Sequence, residues 1–149
     1  MSSPTIESEV GVKTISPAHT DSDAVFELSQ RFYFEAAHTL HRSIEKEGSL
    51  RIHGHTYEAE VSMRGCPHAE SGMVMDLGYL RHEISRVREA LDHRLLDEVV
   101  GLGPATLENL CTFIRQQMEK SVPGLCAVTV ERRVSGDKCV LRWQPKLNG

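Results

Sequence analysis

Three histidines fall in phase with apolar strand positions, and that coincidence is where chemistry enters the chain. His53-Gly54-His55 opens a run in which Tyr57, Ala59, Val61 and Met63 alternate with Glu58, Glu60, Ser62 and Arg64. A period of two marks a half-buried β-strand and turns both imidazoles to its inward face. His38 closes an earlier alternating run (Phe26, Leu28, Phe32, Phe34, Ala36), again on the apolar side. Three imidazoles converging at one end of a sheet make a Zn²⁺ site that leaves a fourth coordination position for water or substrate. A single histidine in such a place is ordinarily core packing; three in one phase argue for a metal.

Positioning these rings requires two adjacent strands, about Val25–His38 and Ile52–Arg64, joined by a polar loop from Thr39 to Arg51. A turn region over Gly65–Gly72 follows, and Met73-Val74-Met75 reads as a short strand. Asp76 stands where a helix N-cap is wanted, ahead of Leu77, Leu80, Ile84, Val87 and Leu91 at helical spacing. Asp92-His93 comes directly after this helix, and Asp97–Ala105 reads as a loop. Thr106 caps a second helix with Leu107, Leu110, Cys111, Ile114 and Met118 on its apolar face, ended by Pro123-Gly124. Two closing strands, Ala127–Val134 and Lys138–Trp143, flank the hairpin signal Ser135-Gly136-Asp137. The order predicts an α+β domain: a four-stranded antiparallel sheet with two helices on one face. Its open edges are the kind that an oligomer removes by closing sheets into a barrel.

A chain of 149 residues with 40% hydrophobic content builds one domain with a real core. A net charge of -4 and the lack of a basic stripe argue against nucleic-acid binding. The four cysteines (Cys66, Cys111, Cys126, Cys139) show no CxxC spacing, so no disulfide framework or cysteine-zinc module is indicated. There is neither a transmembrane run nor a signal-peptide core, and the cytoplasm is the expected address. Residues 1–24, rich in Ser, Thr, Pro and acidic side chains, read as a flexible extension before a domain over 25–149.

In the order Phe34-Glu35-Ala36-Ala37-His38, His53-Gly54-His55, Met73–Leu77, Leu91-Asp92-His93 and Thr106-Leu107-Glu108-Asn109, the chain resembles the 6-pyruvoyltetrahydropterin synthase / 6-carboxytetrahydropterin synthase family. The likeness covers about Phe26 to Arg142. It implies a tunnelling fold, in which trimers form a barrel and two trimers stack into a homohexamer, with active sites between subunits. It also implies a lyase with Zn²⁺ held by His38, His53 and His55, acting on 7,8-dihydroneopterin triphosphate. Asp92 and His93 match the family's proton-shuttling pair; a helix-terminal cation beside a solvated carboxylate is the plainer account. Thr106 and Glu108 match a stretch of the substrate pocket, although a Thr cap with Glu in the first turn is sound helix chemistry by itself. Family members serve queuosine, biopterin and folate-type synthesis, and nothing in the chain chooses among them.

Two positions depart from the family. Where it carries a catalytic cysteine, this chain has Ser49 or, with a longer spacing, Glu47. A serine hydroxyl is a far poorer base than a thiol of pKa about 8.5, and Glu47 serves as one only if desolvated. Where the family grips the pterin's aminopyrimidine edge with glutamate, ungapped spacing places Arg132, in phase with Val128, Val130 and Val134. Glu131 takes over that task only by slipping register, which flips the strand's faces. Arginine has only donors to offer, so it suits a carbonyl, carboxylate or phosphate instead. Arg132 therefore raises a zinc enzyme with a non-pterin, acceptor-rich substrate as one alternative, and the missing cysteine raises a non-catalytic scaffold as another.

Overall fold

β1 (Phe26–His38) and β2 (His53–Gly65) pair antiparallel without a break, from Phe26 opposite Gly65 to His38 opposite His53. Alternation along β1 buries Phe32, Phe34, Ala36 and His38 and leaves Arg31, Tyr33 and Glu35 exposed, as a strand with one covered face requires. The computed structural model describes residues 24–145. The extension expected over residues 1–24 therefore lies, save Ala24, outside the described residues.

The sheet has five strands rather than the expected four, in the order β3-β1-β2-β4-β5. β4 (Leu125–Arg132) and β5 (Asp137–Arg142) extend it antiparallel beyond β2. The additional strand, β3 (Arg94–Leu95), runs parallel to β1 at Ala36 and Ala37, so the sheet is mixed. Two residues carry no periodicity, and β3 is defined only by the strand it meets. Met73-Val74-Met75 is not a strand. It ends a turn in which the His68 amide donates to the Met73 carbonyl at 2.9 Å and the Gly72 amide to the His68 carbonyl at 2.8 Å. β4 stops at Arg132, two residues early, because the hairpin turn leaves Val134 99% exposed. The loop after β1 holds one helical turn, α1 (Lys46–Leu50), entered through Glu45 at φ 57°.

α2 (Leu77–Leu91) and α3 (Leu107–Met118) begin at the expected caps. Asp76 accepts from the Gly78 amide at 2.7 Å and Thr106 from the Asn109 amide at 3.1 Å. Their apolar stripes, Leu80, Ile84, Val87 and Leu91 with Leu110, Ile114 and Met118, join Phe34, Tyr57, Val61 and Val128 in one core. No helix among the described residues is long and apolar enough to cross a membrane.

One polar link ties the helical layer together. Glu83 on α2 is 6% exposed, and its carboxylate accepts from the Ser121 hydroxyl and from Arg86, each at 2.6 Å. The Ser121 bond, more than Arg86, holds the Glu83 carboxyl below its ordinary value. Its stabilisation is thus present above that value and lost as pH falls through the lowered one. Ser121→Ala is expected to destabilise the protein by about 1–3 kcal/mol at neutral pH. Urea titration at pH 7 and pH 3 checks this, the gap between variant and wild type narrowing at the lower pH.

Candidate metal centre

His38 and His53 are direct cross-strand partners at one end of β1 and β2, and His55 sits opposite Ala36 on the same face. Their ring centroids lie 4.5, 5.0 and 4.9 Å apart, and one ligand atom from each falls within 4.8 Å of the other two. The His53 Nδ1 bonds the Arg51 carbonyl at 2.7 Å. A carbonyl only accepts, so Nδ1 carries the proton and Nε2 presents its lone pair. His38 is 1% exposed, and neither of its nitrogens has a hydrogen-bond partner. A buried polar ring left this way is costly unless something binds it.

Electrostatics disfavours charge on two of the rings, His38 and His55. Burial, with His53 and His55 alongside, lowers the His38 pKa from 6.5 to about 4. Burial and then the Arg132 charge push His55 down as well. Neutral imidazoles are the form that ligates a cation. Three of them converging on one point, one otherwise unsatisfied, fit a divalent metal with a coordination position to spare.

Arg132, at the end of β4, joins the row on the same face, as its phase in the sequence predicts. Its Nη1 lies 3.5 Å from the His55 Nε2, and its Nη2 pairs with Asp137 at 2.9 Å. Glu131 points the other way: it pairs with Arg133 at 3.1 Å and walls a pocket with Arg31, Glu58 and Lys138. The register of β4 against β2, Glu131 opposite Glu58, fixes this. Thr106 and Glu108 share a cavity with Arg132 and Tyr57. Ser49 is buried in α1 with its hydroxyl donated to the Glu45 carbonyl at 2.9 Å, and Glu47 is exposed on the same turn. Neither lines the cavities flanking the histidines.

Asp92 and His93 form a built pair beside β1. The Asp92 carboxylate accepts from the Glu35 amide at 2.9 Å, from Arg88 at 3.0 Å and from the His93 Nδ1 at 3.0 Å. The Glu35 amide bond, ahead of the partners' charges, holds the Asp92 carboxyl below its ordinary value. His93 takes a left-handed backbone, φ 56°, secured by its amide donating to the Glu35 carbonyl at 2.6 Å. Such strain in a non-glycine residue persists only where the surroundings enforce it. The His93 Nε2 faces the Glu35 carboxylate at 4.0 Å over a depression of about 520 Å³ walled by Glu35, Gly54, Thr56 and His93. Glu35 and Thr56 belong to the phase opposite the histidine cluster, so the carboxylate that His93 faces lies on the other face of the sheet, although His55 and Ala36 also border the depression.

Sequence reasoning overlooked Glu35, Arg88 and the buried hydroxyl of Tyr57. Glu35 reaches Asp92 across 57 residues, which no local pattern reveals, whereas Arg88 pairs with Asp92 at i,i+4, a helical spacing open to recognition. Tyr57, in phase with the histidines, was open to recognition as a polar tip among apolar neighbours.

The model of 6-pyruvoyl tetrahydropterin synthase matches residues 27–142. The chain belongs to the 6-pyruvoyl tetrahydropterin synthase family. It is 36% identical over 110 residues to a 6-carboxy-5,6,7,8-tetrahydropterin synthase of Synechocystis, covering 69% of this chain and 83% of that one. A dihydroneopterin monophosphate aldolase of Pyrococcus furiosus is 34% identical over 94 residues, or 63% of this chain and 75% of the other. The solved 6-pyruvoyl tetrahydropterin synthase of Caenorhabditis elegans superposes with a TM-score of 0.70 at 28% identity, covering 81% and 97% of the two chains. The expected tunnelling fold is thus the fold of this chain, and its function is that of a pterin-synthase-like enzyme.

The metal-free protein should show the histidines in its pH dependence. Unfolded His38 titrates near 6.5 and folded His38 near about 4, so the unfolded chain binds the extra proton in between. Stability is therefore full above pH 6.5 and falls as pH drops toward about 4. Urea midpoints of chelator-treated protein across that window test this. An added divalent metal should stabilise strongly at pH 7 and progressively less toward pH 4.

Proposed function

We propose that this member of the 6-pyruvoyl tetrahydropterin synthase family is a zinc-dependent lyase acting on a phosphorylated reduced pterin, with 7,8-dihydroneopterin triphosphate the expected substrate. The observation that carries the reading is the cluster of His38, His53 and His55, with ligand atoms within 4.8 Å and His38 otherwise unsatisfied. His38, His53 and His55 would hold the zinc, which when bound would act as a Lewis acid toward an oxygen of the substrate side chain. Names among the relatives, a carboxypterin synthase and a dihydroneopterin phosphate aldolase, support side-chain cleavage as the reaction class.

Proton transfer falls to His93. Its Nδ1 proton is fixed on Asp92, which leaves Nε2 to take a proton from the substrate side chain and return it to the product. The Asp92 carboxylate, itself clamped by the Glu35 amide and Arg88, fixes the ring's tautomer and orientation. Because the Glu35 carboxylate that His93 faces and the cluster lie on different faces of one sheet, a homohexamer supports the chemistry: the pair of one copy meets the cluster of its neighbour. The His93 side chain, 74% exposed, is free to make that contact.

Elemental analysis of the purified protein is expected to give about one zinc per chain, lost in His53→Ala. Zinc-loaded protein should consume dihydroneopterin triphosphate, and His93→Ala should lower kcat by about 10²–10⁴-fold with metal retained. A metal-free protein, or a zinc-loaded hexamer without turnover, rejects the reading.

A further inference from the structure

Next to the histidine cluster, β4, β5 and the start of α3 wall a second cavity of about 360 Å³. Two of its lining side chains hold buried polar atoms with no hydrogen-bond partner: the Tyr57 hydroxyl and the Arg132 Nε. Tyr57 is 1% exposed and the Arg132 side chain 11%. A tyrosine hydroxyl and a guanidinium N–H buried without partners are costly, and each has hydrogen-bonding capacity left for a ligand.

The unspent capacity is of one kind. Guanidinium only donates. The Tyr57 hydroxyl carries a proton to donate, and nothing in the protein receives it. Arg42 adds a further cation to the wall, whereas the Lys138 ammonium turns to Glu131 on the other face, 4.0 Å away. Of the acceptors in the lining, the Thr106 hydroxyl already caps α3 and the Asp137 carboxylate already takes Arg132 Nη2 and the Ser135 hydroxyl. Glu108 is the remaining carboxylate, and it is exposed. The Arg132 Nη1 meanwhile reaches toward the His55 Nε2 across 3.5 Å, a long contact that a metal on that nitrogen displaces. A metal in the cluster therefore leaves a further guanidinium donor without a protein partner, beside a second positive centre.

We propose that this cavity is an oxyanion subsite, in which Arg132 and Tyr57 take a carboxylate or phosphate of the ligand handled at the neighbouring cluster. Arginine's planar fork matches such a group bidentately. This deepens the reading of the histidines as a metal centre and rests on it. The end of the substrate lodged here is its anionic end, not the N–H edge of a heterocycle.

The test titrates zinc-loaded full-length protein calorimetrically with inorganic phosphate and, separately, with uncharged 6-methyl-7,8-dihydropterin, and measures zinc content in every sample. Phosphate is expected to bind wild type about tenfold or more tightly than Arg132→Gln, and severalfold more tightly than Tyr57→Phe, with zinc unchanged. Arg132→Glu should lose phosphate and gain affinity for the dihydropterin. Tyr57→Phe removes one oxygen from a shape-matched side chain, so it remains informative if an Arg132 variant fails to fold. Phosphate affinity unchanged in Arg132→Gln or in Tyr57→Phe overturns the subsite while leaving the metal centre standing. Wild-type protein without zinc removes the metal reading itself.

Discussion

Register between β1 and β2 is the constraint on which the site depends. The two strands pair residue for residue over their full length, and His38 lands opposite His53 only because Phe26 lands opposite Gly65 twelve residues earlier. The apolar alternation that specifies this register belongs to the core: Phe34, Ala59 and Val61 are at most 1% exposed. A slip of one residue carries those side chains to the open face and the imidazoles with them. The energy that places the three imidazoles is therefore burial of apolar area well away from them. The rings themselves contribute cost, since His38 is desolvated without a partner.

The same sheet keeps its two kinds of chemistry apart. On the helix-covered face, His38, His53, His55 and Arg132 form a row across β1, β2 and β4. On the other face, Glu58 is buried between Arg31 and Arg133, and the Glu35 carboxylate looks toward His93. Alternation in a strand makes this division unavoidable, because neighbours such as Arg132 and Glu131 must diverge. It also explains why Asp92–His93 is so heavily tethered. The pair follows α2 and precedes β3, where the chain offers no regular element, and three bonds to Asp92 with one to the His93 amide supply the rigidity instead.

Features read correctly in the sequence are those with a local physical cause. Period-two strands, the caps Asp76 and Thr106, and the inward phase of Arg132 all follow from residues within a few positions of each other. Features that escaped are defined by a distant partner. β3 exists because Arg94 and Leu95 meet Ala36 and Ala37, and the Asp92 clamp exists because the Glu35 backbone arrives from 57 residues away. Met73-Val74-Met75 shows the converse error. Three apolar residues have strand-like composition, but no strand edge is presented to them, and a turn takes them instead. Ser49 fell between the two cases: sequence alignment with a family nominated it, and local helix formation in α1 used its hydroxyl on the Glu45 carbonyl.

Charge around the cluster limits what can complete it. Histidines ligate as neutral rings, so a divalent metal would bring its full charge to a place where Arg132 already stands 3.5 Å from His55. At the effective dielectric of a protein surface, two unit charges about 4 Å apart interact by about 4 kcal/mol, and the repulsion grows with a doubly charged ion. Asp137 offsets part of it, but its carboxylate is 48% exposed and hydrated. A ligand that enters with an uncharged donor edge leaves that repulsion in place and sets its own N–H groups against the guanidinium. One that brings an oxyanion would offset that repulsion and would offer an acceptor to both Arg132 and Tyr57, whose buried Nε and hydroxyl have no partner in the protein. The substitution that departs most from the family thus bears directly on which end of the substrate the cavity accepts.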